Sequence, residues 1–333
     1  MAKAEFEEAI LWETEKKGIR CLACFRYCLI SKNDVGFCRV RKNIGKKLIT
    51  LNFGKLNLIE KASIESLPIY HFYPGISVFK IASIGTNFKG KIGFEEGDEE
   101  KLKKLKVWIP ENLIKKVKSE NAQAIAFLGT RYSEPFVYPE FAFRCSRLAN
   151  RSNIKVIYVT NGFASEEVIK KLFKYMDCAL ILFYAFGDEK FYKNFANVKD
   201  LDKIYDTILQ LKKQRVFIEI ANFIIPEIGD DIEKCKNLIN WIVSELGSQI
   251  PFHLLPFPEY EIPIQTFERF ADEIKKAGLR HVYVNHCPHT LNNTFCYNCL
   301  QKIIERRPNK FIKSNLRNGR CPNCGFRINV VSD

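Results

Sequence analysis

Nothing in this sequence marks it for a membrane or for export. Its first twelve residues carry Glu5, Glu7 and Glu8, with no basic stretch leading into an apolar one, so a secretory leader is not expected. The most apolar runs, Ala179–Phe186 and Phe217–Pro226, are far shorter than the about 20 residues a bilayer-spanning helix needs. No glycine-rich dinucleotide fingerprint follows an early strand, which argues against a doubly wound nucleotide-binding fold. No tandem repeat or low-complexity tract is visible. A soluble, cytoplasmic protein with no membrane partner is the expectation.

What is present suits a large α/β protein. The chain has 333 residues and is 47% apolar, enough for a sizeable core. From about residue 76, apolar runs of strand length alternate with amphipathic helical patterns, the signature of repeated β-α units. After small strands at Leu48–Phe53 and Leu56–Ile59, the predicted strands are Val78–Ile84, Ala122–Leu128, Lys155–Thr160, Ala179–Tyr184, Val216–Phe223, Pro251–Pro256 and His281–Asn285. Between them, helices are predicted at Glu111–Ser119, Pro139–Asn150, Ser165–Tyr175, Asp200–Lys213, Asp230–Glu245 and Pro263–Lys276. Seven strands with six helices favour a partial or complete β/α barrel, whose function would collect at the C-terminal ends of the strands. The loop Lys89–Lys106, dense in charge, reads as a mobile or solvated segment.

Charge is concentrated at the two ends. Net charge is +14, but residues 86–290 hold 30 basic against 28 acidic side chains. Residues 1–85 hold 14 against 8, and residues 291–333 hold 8 against 2. Such clustering suits contact with phosphates or another polyanion. The bland reading is a solubility device.

The 12 cysteines point to metal before disulfides in a cytoplasmic chain. Cys296-x-x-Cys299 and Cys321-x-x-Cys324 have the spacing of paired knuckles around a tetrahedral, closed zinc site, with two disulfides as the competing reading. Zinc would supply about 10–16 kcal/mol of folding energy to so short a tail. Between the knuckles lie Lys302, Arg306, Arg307, Lys310, Lys313, Arg317 and Arg320, a basic stretch suited to a phosphate backbone or to balancing the thiolates. Cys21, Cys24, Cys28 and Cys38 form a less regular set that fits a second zinc or an iron–sulfur cluster. Arg20, Arg26, Arg39, Arg41 and Lys42 crowd around it. Cys145, Cys178, Cys235 and Cys287 stand alone and read as small core residues. The expected domains are therefore residues 1–75, a metal-binding segment; 76–290, the barrel; and 291–333, a basic zinc-ribbon-like module.

The chain resembles the AmmeMemoRadiSam group of radical SAM enzymes, relatives of the pyruvate formate-lyase activating enzymes. The resemblance rests on the Cys21–Cys38 segment ending Gly36-Phe37-Cys38-Arg39-Val40-Arg41, on Pro68-Ile69-Tyr70-His71-Phe72-Tyr73-Pro74-Gly75, and on Tyr132-Ser133-Glu134-Pro135. It continues through Val159-Thr160-Asn161-Gly162 to the C-terminal knuckles. It implies a radical SAM-type barrel with a cluster loop after its first strand, here Gly85-Thr86-Asn87-Phe88-Lys89-Gly90-Lys91-Ile92-Gly93. The three cysteines that hold a [4Fe–4S] cluster in that family fall on Thr86, Gly90 and Gly93, and none of these can replace a thiolate. The family's I-D-L-K strand is Ile181-Leu182-Phe183-Tyr184 here, and its His-x-x-Arg is His253-Leu254-Leu255-Pro256. Glu134, Thr160 and Asn161 survive, as vestigial cofactor-binding residues or as braces of strand ends.

Two functions follow as expectations. The first is a catalytically inactive radical SAM-like scaffold, with no catalytic residue, no [4Fe–4S] cluster and no S-adenosylmethionine at the barrel mouth. Zinc is expected at the C-terminal site and also at the N-terminal one. Its basic ends, through Arg26, Arg39, Arg41, Lys42, Arg306, Arg307, Lys310, Lys313, Arg317 and Arg320, would bind RNA, a ribonucleoprotein such as the ribosome, or an acidic protein. The alternative is an active enzyme of the glycyl-radical-activating type with atypical cluster ligands such as Cys145 or Cys178. A third reading has the apolar former pocket accepting a peptide of an active relative.

Overall fold

The computed structural model describes residues 7–89, 99–130, 133–285 and 290–332. Eight strands make the main sheet: β1 Leu56–Ser63, β2 Ser77–Ser83, β3 Ala124–Leu128, β4 Lys155–Thr160, β5 Cys178–Tyr184, β6 Phe217–Ile224, β7 Pro251–Pro256 and β8 His281–Val284. They lie side by side in chain order. The pairs β2–β3, β3–β4, β6–β7 and β7–β8 are parallel. Every residue of β3 and of β5 is buried, which is why these segments read as unbroken apolar runs. All seven strands expected from the sequence are present, with ends shifted by at most two residues. The expected short strand at Leu56–Ile59 instead runs on to Ser63 and joins the main sheet.

The six expected helices are also present: α1 Pro110–Ser119, α2 Pro139–Arg151, α3 Glu166–Leu172, α4 Asp202–Lys213, α5 Ile232–Glu245 and α6 Ile264–Lys276. Helix α6 shows why they form, since Phe267, Phe270, Ala271 and Ile274 recur on one stripe and all are buried. Prolines open α1 and α2 where a missing N–H costs nothing. Asp231 caps α5 by accepting the N–H groups of Glu233 and Lys234. Part of the segment expected to be solvated is helical, at Glu99–Lys104.

The chain divides into two compact units. One comprises Met1–Lys61, Val78–Ala179 and Lys193–Val216; the other comprises Ala62–Ser77, Leu180–Tyr192 and Phe217–Asp333. In the first, Trp12–Glu15, Gly18–Cys21 and Leu29–Ile30 form a small antiparallel sheet that carries Cys21, with Cys24 and Cys28 in the connection between its last two strands. In the second, β9 Thr294–Phe295, β10 Lys302–Arg307 and β11 Lys310–Ser314 form an antiparallel ribbon between the C-terminal knuckles. Among the described residues, no helix is long and apolar enough to cross a membrane.

Candidate metal centres

The C-terminal knuckles are two copies of one backbone turn. The carbonyl of Cys296 accepts the N–H of Leu300 and the carbonyl of Cys321 accepts that of Gly325, both at 2.9 Å. The N–H groups of Cys296 and Cys321 return to Gln301 and Phe326 at 2.8 Å. Each turn needs a left-handed residue at its fifth position, filled by Gly325 (φ 73°) in one knuckle and by Leu300 (φ 59°) in the other. The turns bring Cys296 Sγ to 3.5 Å from Cys324 Sγ, and Cys299 Sγ to 3.6 Å from Cys321 Sγ. All four sulfurs lie within 4.8 Å of one another, and all four cysteines are free thiols rather than disulfides. A zinc tetrahedron with bonds of about 2.3 Å has edges of about 3.8 Å, so the spacing fits one ion. The Asn323 side chain and the Gln301 N–H pull the Cys299 thiol down to about 6, and the Asn298 side chain with the Phe326 N–H lowers Cys324. Both donor sets favour the thiolate, which is the form that binds metal.

The N-terminal cysteines converge differently. Cys21, Cys24, Cys28 and Cys38 line one pocket together with Arg26, Arg41, Asn87, Phe37 and Val137. Each sulfur is met by a backbone N–H: Ala23 for Cys21, Arg26 for Cys24, Val40 for Cys38, and Phe37 for Cys28 at 3.4 Å. Burial nevertheless raises the thiols of Cys21 and Cys24 and pushes that of Cys38 up to about 12. Such thiols ionise when a metal takes the charge. The segment is fastened to the connections after β2, β4 and β5. Arg26 donates to the carbonyls of Asn87 at 3.0 Å, Ala196 at 3.3 Å and Asn197 at 2.6 Å, with its guanidinium 3.9 Å above the Phe37 ring. Ser165 Oγ donates to the Leu22 carbonyl at 2.6 Å. Gly85 (φ 119°) brings the strand-end loop against Val40, where any side chain would collide, an added Cβ lying 2.9 Å from Val40.

Arg41 closes the pocket. It pairs with Glu140 on α2 at 2.8 Å, both side chains 1% exposed. Its Nε and Nη2 have no partner, nor has Glu140 Oε2. Buried donors left this way cost about 1–3 kcal/mol each. The charge of Arg41 acts on Cys21 and Cys38, and that of Arg26 on Cys24 and Cys28.

Beyond the ends of β2, β3 and β4 the polar residues Asn87, Glu134, Thr160 and Asn161 bond to one another. Glu134 Oε1 accepts Thr160 Oγ1 at 2.7 Å, and Oε2 accepts the Asn161 N–H at 3.0 Å. Asn161 Nδ2 donates to Asn87 Oδ1 at 2.7 Å, and Asn87 Nδ2 donates to the Phe163 carbonyl at 2.8 Å. Burial pushes the Glu134 carboxyl up to about 7, against the pull of these donors. Thr86 is buried, and its Oγ1 accepts the Phe88 N–H at 3.2 Å. Gly90 and Gly93 lie outside the described residues and have no side-chain donor. None of these three residues can supply a thiolate. Cys145 on α2, Cys178 on β5 and Cys235 on α5 are fully buried, as expected of core residues. Burial raises the Cys145 thiol well above its ordinary range. Cys287 lies outside the described residues.

In the second unit, Glu219 on β6 accepts the N–H groups of Tyr70, His71 and Phe72 at 2.8–3.2 Å and the ring of His253 at 2.8 Å. His253 is thus half of a fully buried pair. Tyr184 stacks on Phe223, with ring centres 5.1 Å apart.

Three expected nucleic-acid contacts need correction. Arg306 is 4% exposed, donating to the Tyr70 carbonyl at 2.6 Å and to Thr294 Oγ1 at 2.8 Å. Arg41 is buried against Glu140, and all three donor nitrogens of Arg26 are bonded to carbonyls. These cations order the chain from within. Arg39, Arg307, Lys310, Lys313, Arg317 and Arg320 are exposed, Lys42 is half-buried, and Arg327 joins the exposed set.

Fold and cysteine geometry together define an α/β protein with a parallel sheet and a four-thiolate, metal-binding C-terminal ribbon. The chain belongs to the same family as the uncharacterized protein MJ0808 of Methanocaldococcus jannaschii, with 30% identity covering 97% of this chain and 99% of that one. No family model matches it. Among solved structures it is similar to a domain of the pyruvate-formate lyase-activating enzyme from Bacteroides vulgatus, at 17% identity and a TM-score of 0.44, covering 50% of this chain and all of that one. It is also similar to SuiB of Streptococcus suis bound to S-adenosylmethionine, at 14% identity and a TM-score of 0.44, covering 63% and 51%.

Proposed function

We propose that this protein is an RNA-binding scaffold with a radical SAM-like framework, no longer a radical enzyme, whose zinc-pinned C-terminal ribbon grips the phosphate backbone. The observation that carries the reading is the ribbon's exposed charge. In the β10–β11 hairpin Arg307 stands directly across from Lys310, and both are exposed. Like charges so opposed cost stability in the isolated chain, and a phosphate placed between them removes that cost. Lys313, Arg317, Arg320 and Arg327 extend the patch. Tyr297 on the first knuckle is 50% exposed and offers a face for base stacking.

Support for lost catalysis comes from the strand ends, where Thr86 replaces a thiolate and Glu134, Thr160, Asn161 and Asn87 bond to one another. A ribonucleoprotein in the cytoplasm is the natural setting for such a ribbon, and an acidic protein is the competing partner. A mobility-shift assay on single-stranded RNA decides between them. Wild type should bind, and the triple variant Lys310→Glu, Lys313→Glu, Arg317→Glu should lose at least tenfold in affinity. Equal binding by both would overturn the reading.

A further inference from the structure

We propose that the cleft between the α5–β7 connection and the chain after the second knuckle is a nucleotide-binding pocket. It takes one phosphate-bearing nucleotide, free or at the end of an RNA. The cleft lies wholly within the second unit and has a volume of about 560 Å³. That falls in the range of small-molecule sites, about 300–1,000 Å³, and exceeds what a lone phosphate fills. Leu246 to Ile250 form one wall, and Arg327 with Asn329 forms the other.

Both walls are held in place by the protein itself. The Arg280 N–H donates to the Ser248 carbonyl at 2.9 Å, tying the first wall to the start of β8. The Arg280 guanidinium lies 4.2 Å from the centre of the Tyr297 ring and 5.9 Å from that of Phe326. The same residue therefore braces both knuckles. Asn329 Nδ2 donates across the cleft to the Gln249 carbonyl at 3.4 Å, and the Asn329 carbonyl accepts the His71 ring N–H at 2.6 Å. A site fixed in this way loses little conformational freedom on binding.

The walls differ in chemistry, and the difference selects the ligand. Arg327 is exposed, and Arg320 stands directly opposite it in an antiparallel bridge. Two guanidinium groups so placed concentrate positive potential on that side, where a phosphate meets paired N–H donors. On the other wall α5 ends at Glu245, immediately before Leu246, and the last carbonyls of a helix carry its negative end. An anion is disfavoured there, whereas the hydroxyl and amine donors of a sugar or base are favoured. Ser248 and Gln249 add a hydroxyl and an amide, and Leu246 and Ile250 add apolar surface for a ring. A molecule with a phosphate at one end and a donor-rich sugar and base at the other is a nucleotide. The inference goes beyond the RNA reading and does not rest on it.

The test is calorimetric titration of the full-length, zinc-loaded protein with each ribonucleoside 5′-monophosphate and with inorganic phosphate. At least one nucleotide should bind with one site per chain, about tenfold or more tighter than phosphate. Arg327→Ala, and Gln249→Trp which fills the cleft, should each weaken that binding by about tenfold or more. The ribbon variant Lys310→Glu, Lys313→Glu, Arg317→Glu should keep it, so the pocket and the RNA reading fail separately. A second arm compares 5′-phosphorylated with 5′-hydroxyl single-stranded RNA of the same sequence. A preference for the phosphorylated RNA that Gln249→Trp abolishes identifies an RNA end as the source; monophosphate binding without that preference identifies the free nucleotide. Failure of every monophosphate together with equal affinity for the two RNAs would overturn the pocket. So would nucleotide binding no tighter than that of phosphate, or binding that both cleft variants leave intact. The wild-type titration is decisive by itself, so misfolding of a variant does not rescue the proposal.

Discussion

Arg41 Nη1 lies 2.8 Å from Glu140 Oε1, joining the segment after Cys38 to helix α2 through an ion pair with both side chains 1% exposed. Glu140 also accepts the Ile10 N–H at 2.9 Å. Removing one member of such a pair strands the other charge out of water, at a cost of about 3–5 kcal/mol. Glu140→Ala should therefore lower stability to urea by that amount. The double variant Arg41→Met, Glu140→Leu should recover much of it. Equal losses in the single and double variants would assign the effect to packing instead.

Leu300 occupies the left-handed position that Gly325 fills in the sister knuckle, and it is 76% exposed. A side chain there costs about 1–2 kcal/mol, partly offset by the greater freedom of glycine in the unfolded chain. Leu300→Gly should raise the stability of the zinc-loaded protein by about 0.5–1 kcal/mol, read from thermal unfolding. A loss would show that the exposed leucine makes a contact of its own.

Acid should weaken the second unit. Burial pulls the His281 ring down to about 4 and holds His71 well below its ordinary value. Between about pH 6.5 and 4 the unfolded chain takes up a proton at His281 that the folded chain refuses. Stability present at pH 7 is therefore lost progressively as pH falls through that window. His281→Phe should flatten this part of the stability–pH curve; an unchanged slope would remove His281 as its source.

Chelation of the C-terminal metal, or Cys321→Ser, should release the ribbon. Its apolar cluster is small, Ile303, Ile304 and Ile328 packed with Cys296 and Cys321, and cannot offset the chain entropy by itself. Hydrogen exchange across residues 294–328 should rise sharply, with α1 to α4 unaffected.

The sheet was legible because buried parallel strands leave unbroken apolar runs, as in Ala124–Leu128. Only the first half of strand β1 was, since Glu60 and Lys61 face solvent in the rest of it. The knuckles announced themselves by spacing. The fates of Arg26, Arg41 and Arg306 did not, because a basic residue beside cysteines looks alike in sequence whether it meets water or a carbonyl. Glu219 was missed for a similar reason: the N–H groups it accepts lie 147 to 149 residues away, a separation at which no local pattern survives.

The salt dependence of RNA affinity tests the central claim most directly. Each phosphate contact on a single strand contributes about −0.7 to the slope of log K against log salt. Wild type should fall with a slope of about −3 or steeper, and the triple variant Lys310→Glu, Lys313→Glu, Arg317→Glu should be shallower by about 2. A flat wild-type line, or parallel lines for the two proteins, would contradict binding through the ribbon.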